Sequence, residues 1–231
     1  MRESDTPEIL KLDLFKKMET ANFERLMRGA YVQNFPPQVD LITEGEDADF
    51  LHIMMSGSVE LYASWNGSDS TMAIVRPVST FILAATVKDA PYLMSARTME
   101  KSRVIMLPSS DVRDVFSQDA DFARAVVTEL AQCYRSVVKS SKNMKLRTSI
   151  ERLANYLLRK SREHDSPCFR LSLEKRTLAS YLGMTPENLS RAIKALGPYG
   201  VKMDGYEVDL KKIDDLEKLA KSTPGIDDPR F

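Results

Sequence analysis

The chain has little of the material from which metal centres and covalent catalysts are built: two cysteines and two histidines in 231 residues. Cys133 and Cys168 stand alone, without paired spacing. That excludes a cysteine-ligated zinc module or a four-cysteine iron–sulfur site from a single chain and argues against a structural disulfide. His52 and His164 are too few for a cupin-like metal site, and they are too distant in sequence to form a motif. There is no H-E-x-x-H, no G-x-S-x-G and no glycine-rich phosphate loop. No apolar run approaches bilayer length, and the N-terminus lacks the basic-then-apolar order of a signal peptide, so no membrane contact and a cytoplasmic location are expected. Net charge is lacking too, with 33 basic and 33 acidic side chains. The 12 methionines read as core filler.

Neutrality overall conceals an uneven distribution. Residues 1–141 hold 15 basic and 20 acidic groups, residues 142–202 hold 13 and 5, and residues 203–231 hold 5 and 8. The basic block contains EKRTLASYLGMTPENLSRAIKAL, Glu174 to Leu196. Leu178 and Leu182 share one helix face, Gly183 permits a positive-φ turn, Thr185 is a good N-cap and Pro186 suits the first helical position. The second helix turns Leu189, Ile193 and Leu196 inward, and Glu187, Ser190, Arg191 and Lys194 outward at steps of three and four. This is the pattern of a helix-turn-helix that reads DNA. Arginine offers bidentate donors to guanine, glutamate accepts from the cytosine amino group, and serine serves either role. Lys175 and Arg176 are expected on phosphates. The plainer reading, an antiparallel helix pair in a bundle, is weakened by the segment that follows. GPYGVKMDGYEVDL reads as two short strands about Asp204-Gly205, which makes the module a winged helix-turn-helix.

Upstream, Asp5 to Arg28 is helical in character, its apolar face drawn from Leu10, Leu14, Phe15, Met18, Phe23, Leu26 and Met27. From Ala30 to about Pro108 come short runs punctuated by turn residues (AYVQNF, LITEGED, FLHIMMSG, VELYASWNG, TMAIVRP, SARTME, SRVIMLP), which predict an antiparallel meander closed into a small sandwich or barrel. From Ser109 to Asn143 the period becomes helical. Val126, Leu130, Cys133, Val137, Ser140 and Met144 alternate steps of four and three, a short heptad seam. Periodicity alone leaves two readings open, a dimer interface and a helix packed on its own roll. T-S-I-E from Thr148 predicts a capping box, hence a new helix after a hinge at 146–148. The expected organisation is α+β: a sensor domain over 1–108, a dimerisation helix and hinge over 109–146, a winged helix-turn-helix over 147–221, and an unstructured tail over 222–231.

This order resembles the CRP/FNR superfamily of bacterial transcription regulators over nearly the whole chain. LITEGED resembles the family's strand-and-turn signature, FLHIMMSGSVELY the strand pair after it, and GMTPENLSRAIKAL the recognition helix. The resemblance implies a cyclic-nucleotide-binding-like β-roll, a homodimer on a palindromic promoter operator, and RNA polymerase as a partner. The E-x-x-S-R spacing of Glu187, Ser190 and Arg191 is similar to the FNR-like branch, which implies TTGAT-type half-sites. Cyclic-nucleotide binders of the family carry Gly-Glu after the roll's aromatic, and an Arg-Ser or Arg-Thr pair for the phosphate. Here Phe81 is followed by Ile82, Leu83 and Ala84, and residues 91–96 lack arginine, so cAMP is not expected. A cyclic phosphate buried without a cation is several kcal/mol unfavourable. VKDAPYLMSA resembles the nitric-oxide-responsive, denitrification-linked regulators, which have been associated with haem. On that resemblance Phe81, Leu83, Ala84, Met94 and His52 form the candidate effector pocket. His52 is the candidate axial ligand, with Cys133 and Met or Tyr side chains as others; a packed or surface ring is the plainer reading of His52. Oxidation of Cys168 is a redox alternative. An enzyme or a protein-interaction adaptor remains as a competing class, and neither would need the basic block or the polar stripe.

Overall fold

The computed structural model describes residues 5–228. The chain forms two compact units, which divide between Cys133 and Tyr134.

The N-terminal unit begins with two short helices, α1 (Asp5–Ile9) and α2 (Thr20–Arg28). The helical character read for Asp5 to Arg28 is divided between two helices, because Ile9, Leu14, Phe15, Phe23 and Leu26 are all buried and their positions would spread around a straight helix. Breaking the chain between them lets all five reach one core. Phe15 stacks on Phe122 at 6.0 Å and meets the edge of Phe23 at 6.2 Å. Eight strands follow: β1 (Tyr31–Phe35), β2 (Asp40–Ile42), β3 (Phe50–Ser56), β4 (Val59–Trp65), β5 (Ser68–Val75), β6 (Ser79–Phe81), β7 (Ser95–Thr98) and β8 (Ser102–Pro108), with α3 (Leu83–Lys88) after β6. The seven sequence runs are all strands. β6 and α3 had no signal, being short and lacking a capping side chain; α3 is entered and left through left-handed residues, Ile82 at φ 66° and Asp89 at φ 54°.

The strands do not make a meander. They form two antiparallel sheets in the orders β1-β8-β3-β6 and β2-β7-β4-β5, so most partners are distant in sequence. Punctuation fixes strand lengths, whereas pairing is decided by which faces must be covered. Met54, Val59, Leu61, Phe81, Tyr92, Ala96 and Val104 fill the interior of the roll. The other face of the first sheet, with Leu51, Ile53, Ile105 and Leu107, packs against Phe15, Leu26, Phe122 and Val126. β3 is therefore covered on both sides, which is why FLHIMM reads as an unbroken apolar run. Gly57, at φ +87°, is required at the β3–β4 turn, because a Cβ there would lie 2.7 Å from the Lys101 carbonyl oxygen.

The helical stretch after the roll is two helices, α4 (Ser109–Gln118) and α5 (Ala120–Leu146), not one. Asp119 separates them: its Oδ1 accepts from the Phe122 amide at 2.9 Å and so caps α5. α5 carries the chain into the C-terminal unit, where α6 (Ser149–Glu163), β9 (Cys168–Arg170), α7 (Lys175–Tyr181), α8 (Pro186–Leu196), β10 (Val201–Asp204), β11 (Glu207–Leu210), α9 (Ile213–Ala220) and α10 (Pro224–Asp227) follow. The capping box is present: the Glu151 amide donates to Thr148 Oγ1 at 3.3 Å, and the Thr148 amide to Glu151 Oε2 at 2.8 Å. Leu153, Leu157, Leu178, Leu189, Leu196 and Leu216 are fully buried. The segment expected to be an unstructured tail is instead helical at α10, and Asp227 pairs with Arg147 at 2.5 Å. The ion pair outweighs the segment's polar composition. Positions 229–231 of that tail lie outside the described residues.

Candidate nucleic-acid interface

α7, the turn at Leu182–Met184 and α8 form a helix-turn-helix. Thr185 Oγ1 accepts from the Asn188 amide at 3.2 Å and Pro186 takes the first helical position, as the sequence predicts. Leu189, Ala192 and Leu196 are the buried face of α8, and Ile193 is half-buried. The opposite face is open. Glu187, Ser190, Arg191 and Lys194 are exposed, as are Thr185, Lys175 and Arg176. Ser190 Oγ donates back to the Pro186 carbonyl at 3.0 Å, and Arg191 Nη2 donates to Asn188 Oδ1 at 2.7 Å. The Thr185 hydroxyl, the helix's own amide and the Arg191 charge together hold the Glu187 carboxyl below its ordinary value, so this stripe presents an ionised acceptor beside a guanidinium. That combination suits base edges in a major groove.

Sequence reasoning missed what holds the turn. Arg152, on α6, donates from Nε to the Leu182 carbonyl at 2.8 Å and from Nη2 to the Gly183 carbonyl at 3.2 Å. A cation at these C-terminal carbonyls of α7 also answers the helix dipole. An arginine on an amphipathic helix carries no signal for such a distant role. Gly183 has φ +62°, and a Cβ there would lie 2.6 Å from Met144 Sδ, so the long helix packs directly over the turn. The wing pairs Asp204 with Glu207 and Val201 with Leu210, with Gly205 and Tyr206 as its two-residue turn. β9 adds a third strand, antiparallel to β11. Cys168 is exposed and its thiol lies 3.5 Å from Asp209 Oδ1; that contact pushes the thiol up, away from the thiolate that oxidation needs.

The seam residues separate. Val126 is fully buried in the N-terminal core, Leu130 packs against that core, Cys133 is exposed, and Met144 faces Gly183. For Val126 and Leu130 the helix-on-roll reading holds, because the roll's own apolar face covers them. Val137 of the seam is exposed (65%) and forms an outward apolar stripe on α5 with Val127 and Tyr134 (71% exposed), which the seam reading did not include.

The effector-pocket residues are not brought to one lining. Phe81 and Met94 belong to the interior of the roll, Leu83 to the core beneath its outer face, and Ala84 is exposed. His52 and Phe81 do meet, paired across β3 and β6 with ring centroids 5.0 Å apart and planes inclined by 27°. His52 is buried with Nδ1 unpartnered, and burial lowers its pKa to about 4, so it is neutral. An unpartnered ring nitrogen is what an axial ligand offers, but this ring lies flat on Phe81 among close-packed side chains, and as folded these residues do not fit a porphyrin. Arg97, on β7 between buried Ala96 and Thr98, is engaged by Asp40 Oδ1 at 2.8 Å and the Tyr62 hydroxyl at 2.8 Å.

Residues 32–119 match the model of the cyclic nucleotide-binding domain, and residues 151–221 match that of the Crp-like helix-turn-helix domain. The chain belongs to the CRP/FNR family of transcription regulators. It is 22% identical over 220 residues to the CRP-like cAMP-activated global transcriptional regulator of Mycobacterium tuberculosis, covering 92% of this chain and 97% of that one. Among solved structures it resembles FixK2 of Bradyrhizobium japonicum, with a TM-score of 0.71 at 22% identity over 84% of this chain and 98% of the other. A CRP/FNR-family transcriptional regulator from Eubacterium rectale gives a TM-score of 0.74 at 17% identity, over 90% and 98%. The two matched domains coincide with the roll and the helix-turn-helix unit. Among the described residues no helix is long and apolar enough to cross a membrane.

Proposed function

We propose that this CRP/FNR-family regulator is a cytoplasmic homodimer that binds a palindromic operator with TTGAT-type half-sites, recruits RNA polymerase there, and has no enzymatic activity. The observation that carries the reading is the exposed stripe of α8, where Glu187, Ser190, Arg191 and Lys194 stand free of core packing on a helix with an intact N-cap. Lys175 and Arg176 at the start of α7 supply phosphate contacts, and the basic block supplies the local field. Dimerisation uses the outward stripe of α5 at Val127, Tyr134 and Val137, which is otherwise an exposed apolar strip. Two-fold symmetry of the protein is then mirrored in the site.

The roll acts as the controlling domain without cyclic nucleotide. The interior holds apolar side chains and a neutral histidine, and the nearby Arg97 is committed to Asp40 and Tyr62. A buried cyclic phosphate would find no free cation there. An effector need only favour the DNA-competent arrangement by a few kcal/mol.

The test is fluorescence-anisotropy binding of the full chain to a TTGAT-N4-ATCAA duplex and to a scrambled duplex across a salt series, with and without cAMP. Tight, selective binding that cAMP leaves unchanged is expected. Salt-sensitive but unselective binding would overturn the operator assignment. No binding even at low salt would overturn DNA binding and return the helix pair to an adaptor role.

A further inference from the structure

The C-terminal segment is tied to the hinge of the DNA-reading unit at several points. Arg147, between α5 and the N-cap of α6, has a side chain only 6% exposed. Its guanidinium meets Asp227 in a two-point pair, Nη1 to Oδ1 at 2.8 Å and Nη2 to Oδ2 at 2.5 Å. It also donates to the Asn143 side chain at 3.2 Å and to the Lys221 carbonyl at 3.3 Å. The carbonyl of Arg147 in turn accepts from Arg152 Nη1 at 2.7 Å, and Arg152 is the residue that grips the carbonyls of Leu182 and Gly183. Two successive guanidinium groups thus run from α10 to the turn before the recognition helix. Flanking bonds fasten the same segment: Lys139 Nζ to the Asp228 carbonyl at 2.7 Å, Ser222 Oγ to Asn155 Oδ1 at 2.7 Å, and the Thr223 amide to Asp227 Oδ2 at 2.7 Å.

We propose that Asp227 and Arg147 are positioning residues for DNA reading, acting through Arg152 on the turn that sets α8. The proposal rests on α8 being the DNA-contacting helix. A buried guanidinium that loses its carboxylate keeps only the Asn143 and Lys221 acceptors, and its move toward water or a new partner draws on the backbone whose carbonyl Arg152 uses. A displaced turn tilts α8. Base contacts are bidentate and directional, whereas phosphate contacts are tolerant and longer in range, so discrimination suffers before affinity does.

The test uses the full chain and Asp227→Asn, Asp227→Glu, Arg147→Ala and the Arg147→Ala/Asp227→Asn double variant, each well below its melting midpoint. The wild-type chain first selects its own sites from a random duplex library, so that no operator is presumed. Affinity for selected and scrambled duplexes is then measured across salt, and amide exchange at 182–188 is measured without DNA. Asp227→Asn is expected to lower the selected-to-scrambled ratio about five-fold or more, with scrambled affinity and salt slope unchanged. Exchange at 182–188 should quicken about ten-fold. Asp227→Glu should hold the ratio within about two-fold, and the double variant should lose no more than Arg147→Ala, since the residues act in series. A variant that melts earlier yet keeps both the ratio and the exchange rates would reduce the pair to a structural tie. Losses that multiply in the double variant would break the series. If the wild-type chain selects no sequence, the DNA-reading assignment fails on its own, and exchange at the turn then decides the coupling, quickened exchange supporting it and unchanged exchange overturning it.

Discussion

In the N-terminal unit the buried charged pair, Arg103 with Asp5, ties β8 to α1 while the roll's interior gathers apolar side chains around His52, held neutral against Phe81; in the C-terminal unit the buried pair, Arg147 with Asp227, lies at the hinge of the DNA-reading module, and a full polar stripe stays outside on α8. A closed apolar sandwich has no ready place for an anion. A helix with a capped start and an exposed guanidinium and ammonium is suited to meet one. The difference lies in where the polar groups are spent: those of the roll are engaged with one another, Arg103 with Asp5 and Arg97 with Asp40 and Tyr62, whereas the helix-turn-helix unit keeps an exposed polar stripe as well.

That contrast can be broken at several points. The largest effect is expected at Arg147→Ala, which leaves Asp227 half-buried without its partner and should cost about 3–5 kcal/mol of stability, read from urea unfolding. A loss below about 1 kcal/mol would show the pair to be dispensable. Next comes the pH dependence of the roll. Burial depresses the folded pKa of His52 from 6.5 to about 4, so the neutral ring's contribution is fully present above 6.5 and is lost as pH falls from there toward 4. Up to about 3 kcal/mol is involved, and a His52→Leu variant should flatten that part of the stability curve. An unaltered curve would mean that the ring gains solvent. Arg191→Ala should cost about 1–3 kcal/mol on the selected site and little on random DNA; equal losses on both would contradict its base-reading role. Thr148→Ala, which removes half of the capping box, should destabilise by about 1 kcal/mol in the same unfolding assay. Lys175→Ala is the smallest, with affinity falling evenly on all sequences and the salt slope dropping by about 1.

The parts legible in the sequence are the local ones. The Thr185 cap with Pro186, the Thr148 capping box and the glycine turn at Gly183 each depend on residues within a few positions, and each lies where it was read. The polar face of α8 was equally readable, because an exposed stripe keeps its helical period whatever packs behind it. Distant pairings were not. The strands were located correctly, but β1 lies against β8 and β2 against β7, an order no punctuation encodes. Arg147 and Asp227 are 80 positions apart, so the composition of the last residues gave no hint of the ion pair that orders them. Only part of the seam faces outward, for a related reason. α5 has adjacent apolar stripes, and the spacing of Val126, Leu130 and Cys133 does not tell which of them its own roll covers.

Asp119 does more than interrupt a helix. While Oδ1 caps α5 through the Phe122 amide, Oδ2 accepts from the Glu19 amide at 2.9 Å and from the Asn22 side chain at 3.1 Å, at the start of α2. One carboxylate therefore closes the first turns of two helices that lie far apart in sequence, and neither can fray without spending the other's anchor. Amide exchange at the two first turns is accordingly expected to show matched protection. The first turn of the long helix is thereby fastened to the N-terminal core at its very start, where Phe122 and Val126 are also buried.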